Sequence, residues 1–386
     1  MTLEEALGEI EDTRIDRCKK HKLVDILMIV FFGLMSGHRD IEDIHFNAEM
    51  SEETLKKYLE LPNGIPSSDT ILRVLAMIDT KQLEKVFINY AREAFGGDLM
   101  GRDVIAIDGK TERNSEYAPQ SPGKDSHKAV HIISAWANRL GVCFGQVKTE
   151  EKSNEITAIP ELLDLLEVKG AVVAIDAMGC QKKIVEKIRE KKADYAITLK
   201  GNQGKIHDDA RELFSHELDG QYCKLYGIKE TEGEVDIGHG RIEKRKCWLC
   251  TKLGWLDEKS EWKDLNGIGM IESVRINKKT GEQSTERRYF ITSLTDVGRA
   301  AASVRAHWGV ENGLHWRLDC IFGEDLSTLR RGNSAQNMNA LRKITLNALG
   351  NIDFSKFTRK KKLTLKNKME LCNKFESCFD LVAKSL

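Results

Sequence analysis

Two short apolar runs in the middle of the chain each end on an aspartate: Val104-Ile105-Ala106-Ile107 before Asp108, and Ala171 to Ile175 before Asp176. Runs this short and this rich in β-branched residues read as strands covered on both faces. Val130 to Trp136 and Val142 to Val147 read as two further strands joined by a turn at Asn138–Gly141. A helix is expected at about 158–167, with Thr157 as its cap and Pro160 in its first turn, and another at about 181–191. Tyr195 to Leu199 then reads as one more strand. Three strands, helix, strand, helix, strand describe a mixed α/β layer with helices on its faces. In such a sheet the carboxyl ends of the strands border the crevice where ligands bind. Two carboxylates there would repel and lose solvation unless a cation sat between them. A hard ion such as Mg²⁺ suits oxygen donors and leaves room for waters and phosphates. From spacing alone, plain loop or helix caps are an equal reading of both aspartates.

The flanks follow other patterns. Residues 1 to about 98 read as all helix: Leu23, Ile26, Leu27, Val30 and Leu34 recur at helical spacing, and further helices fit 51–60, 68–78 and 81–95. Pro62-Asn63-Gly64-Ile65-Pro66 marks a turn, after which Ser67 or Ser68 can cap the next helix. Helix, turn, helix is compatible with a DNA-binding module, but from pattern alone a plain helical bundle is the favoured reading. Residues about 220–294, with short alternating stretches at Lys244–Leu253 and Arg287–Thr292, read as a β-rich insertion. Long helices are expected at 298–320 and 334–349, the second flanked by Ser334 and Gly350 as start and stop residues.

The chain has 386 residues, 41% hydrophobic and 31% charged, which supplies a substantial core and excludes long disorder. That length suggests two or three domains. The longest apolar run, Ile26 to Met35, is too short to span a bilayer, and the acidic start MTLEEALGEIED lacks the basic region of a signal peptide. Nine cysteines show no framework spacing, and the Cys247/Cys250 pair lies in a strand-like stretch, so they read as inert thiols in a reducing cytoplasm.

A third carboxylate is needed for a two-metal site, and Glu311 is the best candidate. It lies in Val304-Arg305-Ala306-His307-Trp308-Gly309-Val310-Glu311-Asn312-Gly313-Leu314-His315-Trp316, where His307, Glu311 and His315 would form one polar stripe of a helix. Trp308, Leu314 and Leu318 would then face a core. Either Glu311 joins a carboxylate cluster, or the His–Glu–His stripe holds Zn²⁺ in a metal-dependent hydrolase. Lys200-Gly201-Asn202-Gln203-Gly204-Lys205 precedes a helix and could cradle phosphate, although it is not a Walker A motif and by itself reads as a turn.

The stretches AIDGKTER, KSNEITAIPELLDLL, IDAMGCQKKI, DYAITLKGNQG, GHGRIEKR and VRAHWGVENGLHWRLDCIFGED occur in one order. Together they resemble the DDE transposases of the ISAs group of bacterial insertion sequences, which includes the H-repeat-associated proteins. The helical start with LPNGIPSSDT resembles the domain that accompanies them, and coverage runs from about residue 12 to 350. The resemblance implies an α/β fold: a ribonuclease-H-like catalytic domain over 99–350 with a β-rich insertion at about 220–294. An all-helical domain (1–98), able to bind DNA, precedes it, and a basic tail (351–386) follows. It implies that Asp108, Asp176 and Glu311 are the catalytic, metal-binding acids, holding two Mg²⁺ (or Mn²⁺) ions. Sixty-seven residues separate the two aspartates and 134 separate Asp176 from Glu311. Related transposases carry Tyr, Arg and Lys around the glutamate; here those positions are Val304, His307 and Leu318. The ISAs group favours the HW-x-x-EN-x-LHW form found here.

The implied activity is cleavage at the element's ends followed by strand transfer. Its partners are terminal inverted repeats and target DNA, with a homodimer assembled on DNA, no membrane, and a nucleoid-associated cytoplasmic location. Candidate DNA contacts are Lys110, Arg113, Lys200, Lys205, Arg305, His307, His315, Arg330 and Arg331, with Arg317 also available near the glutamate. A catalytically silent DNA-binding relic is the rival within the same family. The formal net charge is zero, but it divides into −7 over residues 1–100, −2 over 101–328 and +9 over 329–386. The basic footprint expected for DNA therefore gathers after the catalytic helix, around Arg359-Lys360-Lys361-Lys362 with Lys366 and Lys368.

Overall fold

A computed structural model describes residues 1–96, 103–116, 128–149, 155–238, 240–358 and 363–384. The Arg359–Lys362 cluster lies outside the described residues. In chain order the helical start comprises α1 (Leu3–Gly8), α2 (Leu23–Met35), α3 (Ile41–Met50), α4 (Glu52–Leu55), α5 (Ser68–Met77) and α6 (Thr80–Ala91). There follow β1 (Val104–Thr111), β2 (His131–Ala137), β3 (Val142–Thr149), α7 (Glu155–Leu165), β4 (Val172–Ile175), α8 (Lys182–Glu190), β5 (Asp194–Leu199), α9 (Lys205–Leu213) and α10 (Gly220–Tyr226). Next come β6 (Ile228–Glu232), β7 (Asp236–Gly238), β8 (Arg241–Cys250), β9 (Gly267–Asn277), β10 (Gln283–Thr292) and α11 (Val297–Ala306). The chain closes with α12 (Trp308–Val310), α13 (Trp316–Cys320), α14 (Ser334–Asn351), α15 (Leu365–Lys374) and α16 (Glu376–Lys384). Among the described residues no helix is long and apolar enough to cross a membrane.

The chain divides into two compact units: Met1–Asp98 with Gly109–Asn154 and Glu311–Leu386, and Leu99–Asp108 with Glu155–Val310. In the first, α14 is the organising element. It is buried from Ser334 to Leu349 although it carries Asn, Arg and Lys side chains. Several of these polar groups find partners that the sequence places far away. Asn347 pairs with the Cys143 backbone of β3, accepting at 2.8 Å and donating at 2.7 Å, as a neighbouring strand would. Asn337 donates to the carbonyls of Leu75 and Ile78 at 2.8 and 3.0 Å. Buried Lys343 donates to Ser134 Oγ and Gln146 Oε1, both at 2.8 Å. Buried amides and charges without such partners would cost several kcal/mol. Lys368 closes the end of α14, donating to the carbonyls of Leu349 at 2.6 Å and Ile352 at 2.8 Å.

The second unit is built on a large mixed sheet ordered β1-β4-β5-β10-β9-β8-β6, with β7 also on β8. β1, β4 and β5 run parallel and β10, β9, β8 and β6 are antiparallel. All four residues of β4 are buried, as a central parallel strand requires. The α/β class with a helical N-terminal part is thus the observed one, and residues 228–292 form the expected β-rich stretch.

Several local expectations shift. Ser67 is the cap of α5, its Oγ accepting from Thr70 N at 3.3 Å. The helix expected at 51–60 stops at Leu55, and that expected from 158 begins at Glu155, so Pro160 lies inside it. α14 starts on Ser334 itself and runs through Gly350 to Asn351. Strand β1 continues past Asp108 to Thr111, whereas its pairing with β4 ends at Ile107↔Ile175. The largest change is at 298–320, where one long helix was expected. α11 ends at Ala306, and Glu311–His315 is a π-helical turn.

Candidate active site

In the sheet unit, parallel register sets Ile107 opposite Ile175, so Asp108 and Asp176 each follow directly on the last paired residue. Both are half-buried beside buried strands. Asp176 is fixed by main chain: its Oδ1 accepts from Met178 N at 2.9 Å and Gly179 N at 3.4 Å, capping a 3₁₀ turn over Ala177–Gly179. Only glycine fits at 179, because a Cβ there would lie 2.3 Å from Ile175 Cγ2. Burial, with the Asp176 carboxylate adding to it, pushes the neighbouring Cys180 thiol up to about 12. The stretch Lys200–Lys205 holds a 3₁₀ turn over Gly201–Gln203, whose polar side chains hold protein. Gln203 Nε2 donates to Ala177 O at 2.7 Å and Asn202 Nδ2 to the same oxygen at 3.3 Å. Lys205 pairs with Asp257 at 2.6 Å, Arg305 with Asp236 at 3.1 Å, and Lys200 is exposed.

In the other unit, Glu311 opens the π turn with its side chain 61% exposed, and His315 closes it, buried. His315 Nδ1 lies 3.3 Å from Glu311 Oε2. Single π turns often occur at functional sites. Gly313 lets this one seat on β2, since a Cβ there would lie 2.6 Å from the Trp136 ring. Of the expected stripe of His307, Glu311 and His315, the last two meet across the π turn, and His307 is the C-cap of α11. Leu314 and Leu318 are buried as expected, but Trp308 is 48% exposed, with the Arg288 guanidinium 4.5 Å above its ring, and Trp316 is 55% exposed.

The candidate DNA contacts of this unit divide sharply. Lys110 is held by Asp319, by buried Glu324 and, at 3.7 Å, by Asp325. Arg113 is 80% exposed and reaches Asp325 at 3.3 Å; Arg330 donates to Asn114 O at 2.8 Å; Arg331 is exposed. Behind Lys110, burial and the nearby Glu324 charge push the Glu112 carboxyl up to about 8, against the pull of Arg342. The sequence gives no role to the acids of FGED, because a Glu-Asp pair ordinarily signals a solvated loop; the signal that points to Glu324 is its place two residues after the apolar Ile321-Phe322. The inert reading of Cys247 and Cys250 is supported: both are buried, and burial raises both thiols, Cys247 to about 12.

Residues 99–348 match the family described as Transposase DDE domain, and residues 4–91 match its associated family, DDE_Tnp_1-associated. The chain belongs to the DDE transposase family. It is 40% identical over 346 residues to "Putative transposase YncI" of Escherichia coli O157:H7, covering 89% of this chain and 86% of that one. It is 39% identical over 366 residues to "H repeat-associated putative transposase YhhI" of Escherichia coli strain K12, covering 94% and 93%. A piggyBac transposase in a synaptic complex with hairpin DNA aligns with a TM-score of 0.45 at 11% identity, over 99% of this chain and 77% of that one.

Proposed function

We propose that this transposase binds the ends of its insertion sequence and carries out metal-dependent cleavage and strand transfer, with Asp108, Asp176 and Glu311 as the catalytic acids. The carrying observation is the register that delivers Asp108 and Asp176 from adjacent parallel strands. Glu311 directly follows Val310, and Gly109 directly follows Asp108, at two of the four places where the chain passes between its compact units. Two half-buried carboxylates delivered by adjacent apolar strands are an oxygen-donor set that fits a hard divalent cation. When bound, two Mg²⁺ or Mn²⁺ ions would supply charge neutralisation at the attacked phosphodiester and a lowered pKa for water.

The protein's own part is orientation. Main-chain N–H groups fix one oxygen of Asp176, Oδ1, and among the described residues no hydrogen bond is made to its second oxygen. His315 orients Glu311 through their 3.3 Å contact. Water attack at the element's end frees a 3′-OH. That hydroxyl then attacks target DNA in a second in-line displacement of the same kind. Exposed Arg113, Lys200, Arg330 and Arg331 are the readiest phosphate contacts, while Lys205 and Arg305 would first exchange an ion pair for phosphate. The helical domain over 1–98 would add DNA contacts, and a homodimer would bring the two ends together.

The test uses full-length protein with DNA carrying the terminal repeats. Strand cleavage should require Mg²⁺ or Mn²⁺, and Asp108→Ala, Asp176→Ala and Glu311→Ala should each abolish it. Full activity in any one of them removes that residue from the site.

A further inference from the structure

The Lys200–Lys205 loop has the composition of a phosphate cradle, yet its two central amides are turned onto the protein. β4 and β5 are neighbouring parallel strands, paired at Ile175↔Ile197, so the turns that follow them leave the same edge of the sheet. Gln203 is pinned at both ends of its amide: Oε1 accepts from Lys200 N at 2.7 Å, and Nε2 donates to Ala177 O at 2.7 Å. Asn202 adds a second, longer bond to that oxygen, at 3.3 Å. Ala177 is buried and is the first residue of the turn whose Met178 and Gly179 amides hold Asp176 Oδ1. The loop therefore reaches the carboxylate through one peptide. Gly204, at φ 56°, lets the chain turn from the clamp into α9.

We propose that Gln203, supported by Asn202, is a positioning residue that fixes the carboxylate of Asp176 by clamping the Ala177 carbonyl. This rests on the reading of Asp176 as a catalytic acid. Partners that orient a metal-binding carboxylate typically change metal affinity or activity by about 10–100-fold when removed. Gln203 makes the shorter bond and carries the larger share.

The experiment uses the full chain. Cleavage of terminal-repeat DNA is measured against Mg²⁺ concentration, Mn²⁺ binding by calorimetry, and hydrogen exchange at Met178 and Gly179 in metal-free protein. Gln203→Ala should slow cleavage by about 10–100-fold, raise the Mg²⁺ concentration for half-maximal rate, weaken Mn²⁺ binding and speed exchange at both amides. Asn202→Ala should shift the same readouts less. Gln203→Glu keeps the acceptor for Lys200 N but loses the donor to Ala177 O, so it should show the same exchange defect even if Gln203→Ala folds poorly. Wild-type exchange, Mn²⁺ affinity and Mg²⁺ response in Gln203→Glu, with Asp176→Ala inactive, overturns the proposal alone. An Asp176→Ala variant that cleaves like the wild type overturns the catalytic reading and the proposal with it, while the exchange data still report on the clamp.

Discussion

Asp176 and Glu311 are held by different physics. Asp176 sits at the end of a wholly apolar strand and is fixed by peptide N–H groups, with a buried methyl-lined wall at Ile175. Glu311 lies at the exposed start of a π turn, in a unit whose interior is charged: Glu324, Arg342 and Lys343 are all buried there. A carboxylate placed by main chain needs only local geometry. One carried by an irregular helix needs its surroundings fixed over long range, and here buried ion pairs and amides do that, at the risk that removing one partner strands another.

The sharpest way to break this contrast is to remove a buried charge. Glu324→Ala leaves Lys110 and Arg342 short of their counter-charge and should cost about 3–5 kcal/mol, read by denaturant unfolding. A cost under about 1 kcal/mol would show that the charged interior does not organise this unit. Next come the two glycines. Gly179→Ala meets Ile175, and Gly313→Ala meets Trp136; each should cost about 1–3 kcal/mol in thermal or denaturant unfolding. If the contrast holds, Gly179→Ala disturbs amide exchange only around Ala177–Cys180, whereas Gly313→Ala spreads into β2.

The pH dependence is a finer test. Glu112 has its folded pKa raised from 4.5 to about 8 by burial. Between those values the folded state holds a proton that the unfolded state has lost. Its contribution to stability is therefore present below about pH 4.5, declines as pH rises toward 8, and is gone above it. Glu112→Gln should flatten that part of the stability profile; an unchanged slope would show that Glu112 is not the group responsible. The smallest effect belongs to the exposed Arg288–Trp308 pair. Arg288→Ala should cost no more than about 1 kcal/mol, and a larger loss would mean that this ring is part of a packed core.

Much of this was legible in the sequence. Val104–Ile107 and Ala171–Ile175 give their strands away by being apolar and β-branched over four or five residues, while the sequence offers Ser67 or Ser68 as the cap and the structure selects Ser67. The 298–320 stretch reads as one long helix and is not one, because apolar spacing cannot show a π turn, and the close approach of Gly313 to Trp136 that accompanies it joins residues far apart in sequence. Trp308 was assigned to a core for the same reason: once α11 ends at Ala306, the period that would have turned its ring inward is lost. Lys110 and Lys205 looked like free cations, since sequence shows a charge but not its partner; their acids come from residues 319–325 and from Asp257.

The sequence by itself determined most of the order of strands and helices and the family, because these reside in local patterns and in motifs of fixed order. Only the tertiary structure decided what holds each acid. Gln203 reaches Ala177 across 26 positions of chain and Lys110 reaches Asp319 across 209, and such pairings exist only after the sheet and α14 have packed. A hydrogen bond or ion pair depends on distances of about 3 Å, and no one-dimensional pattern fixes distances between segments that far apart.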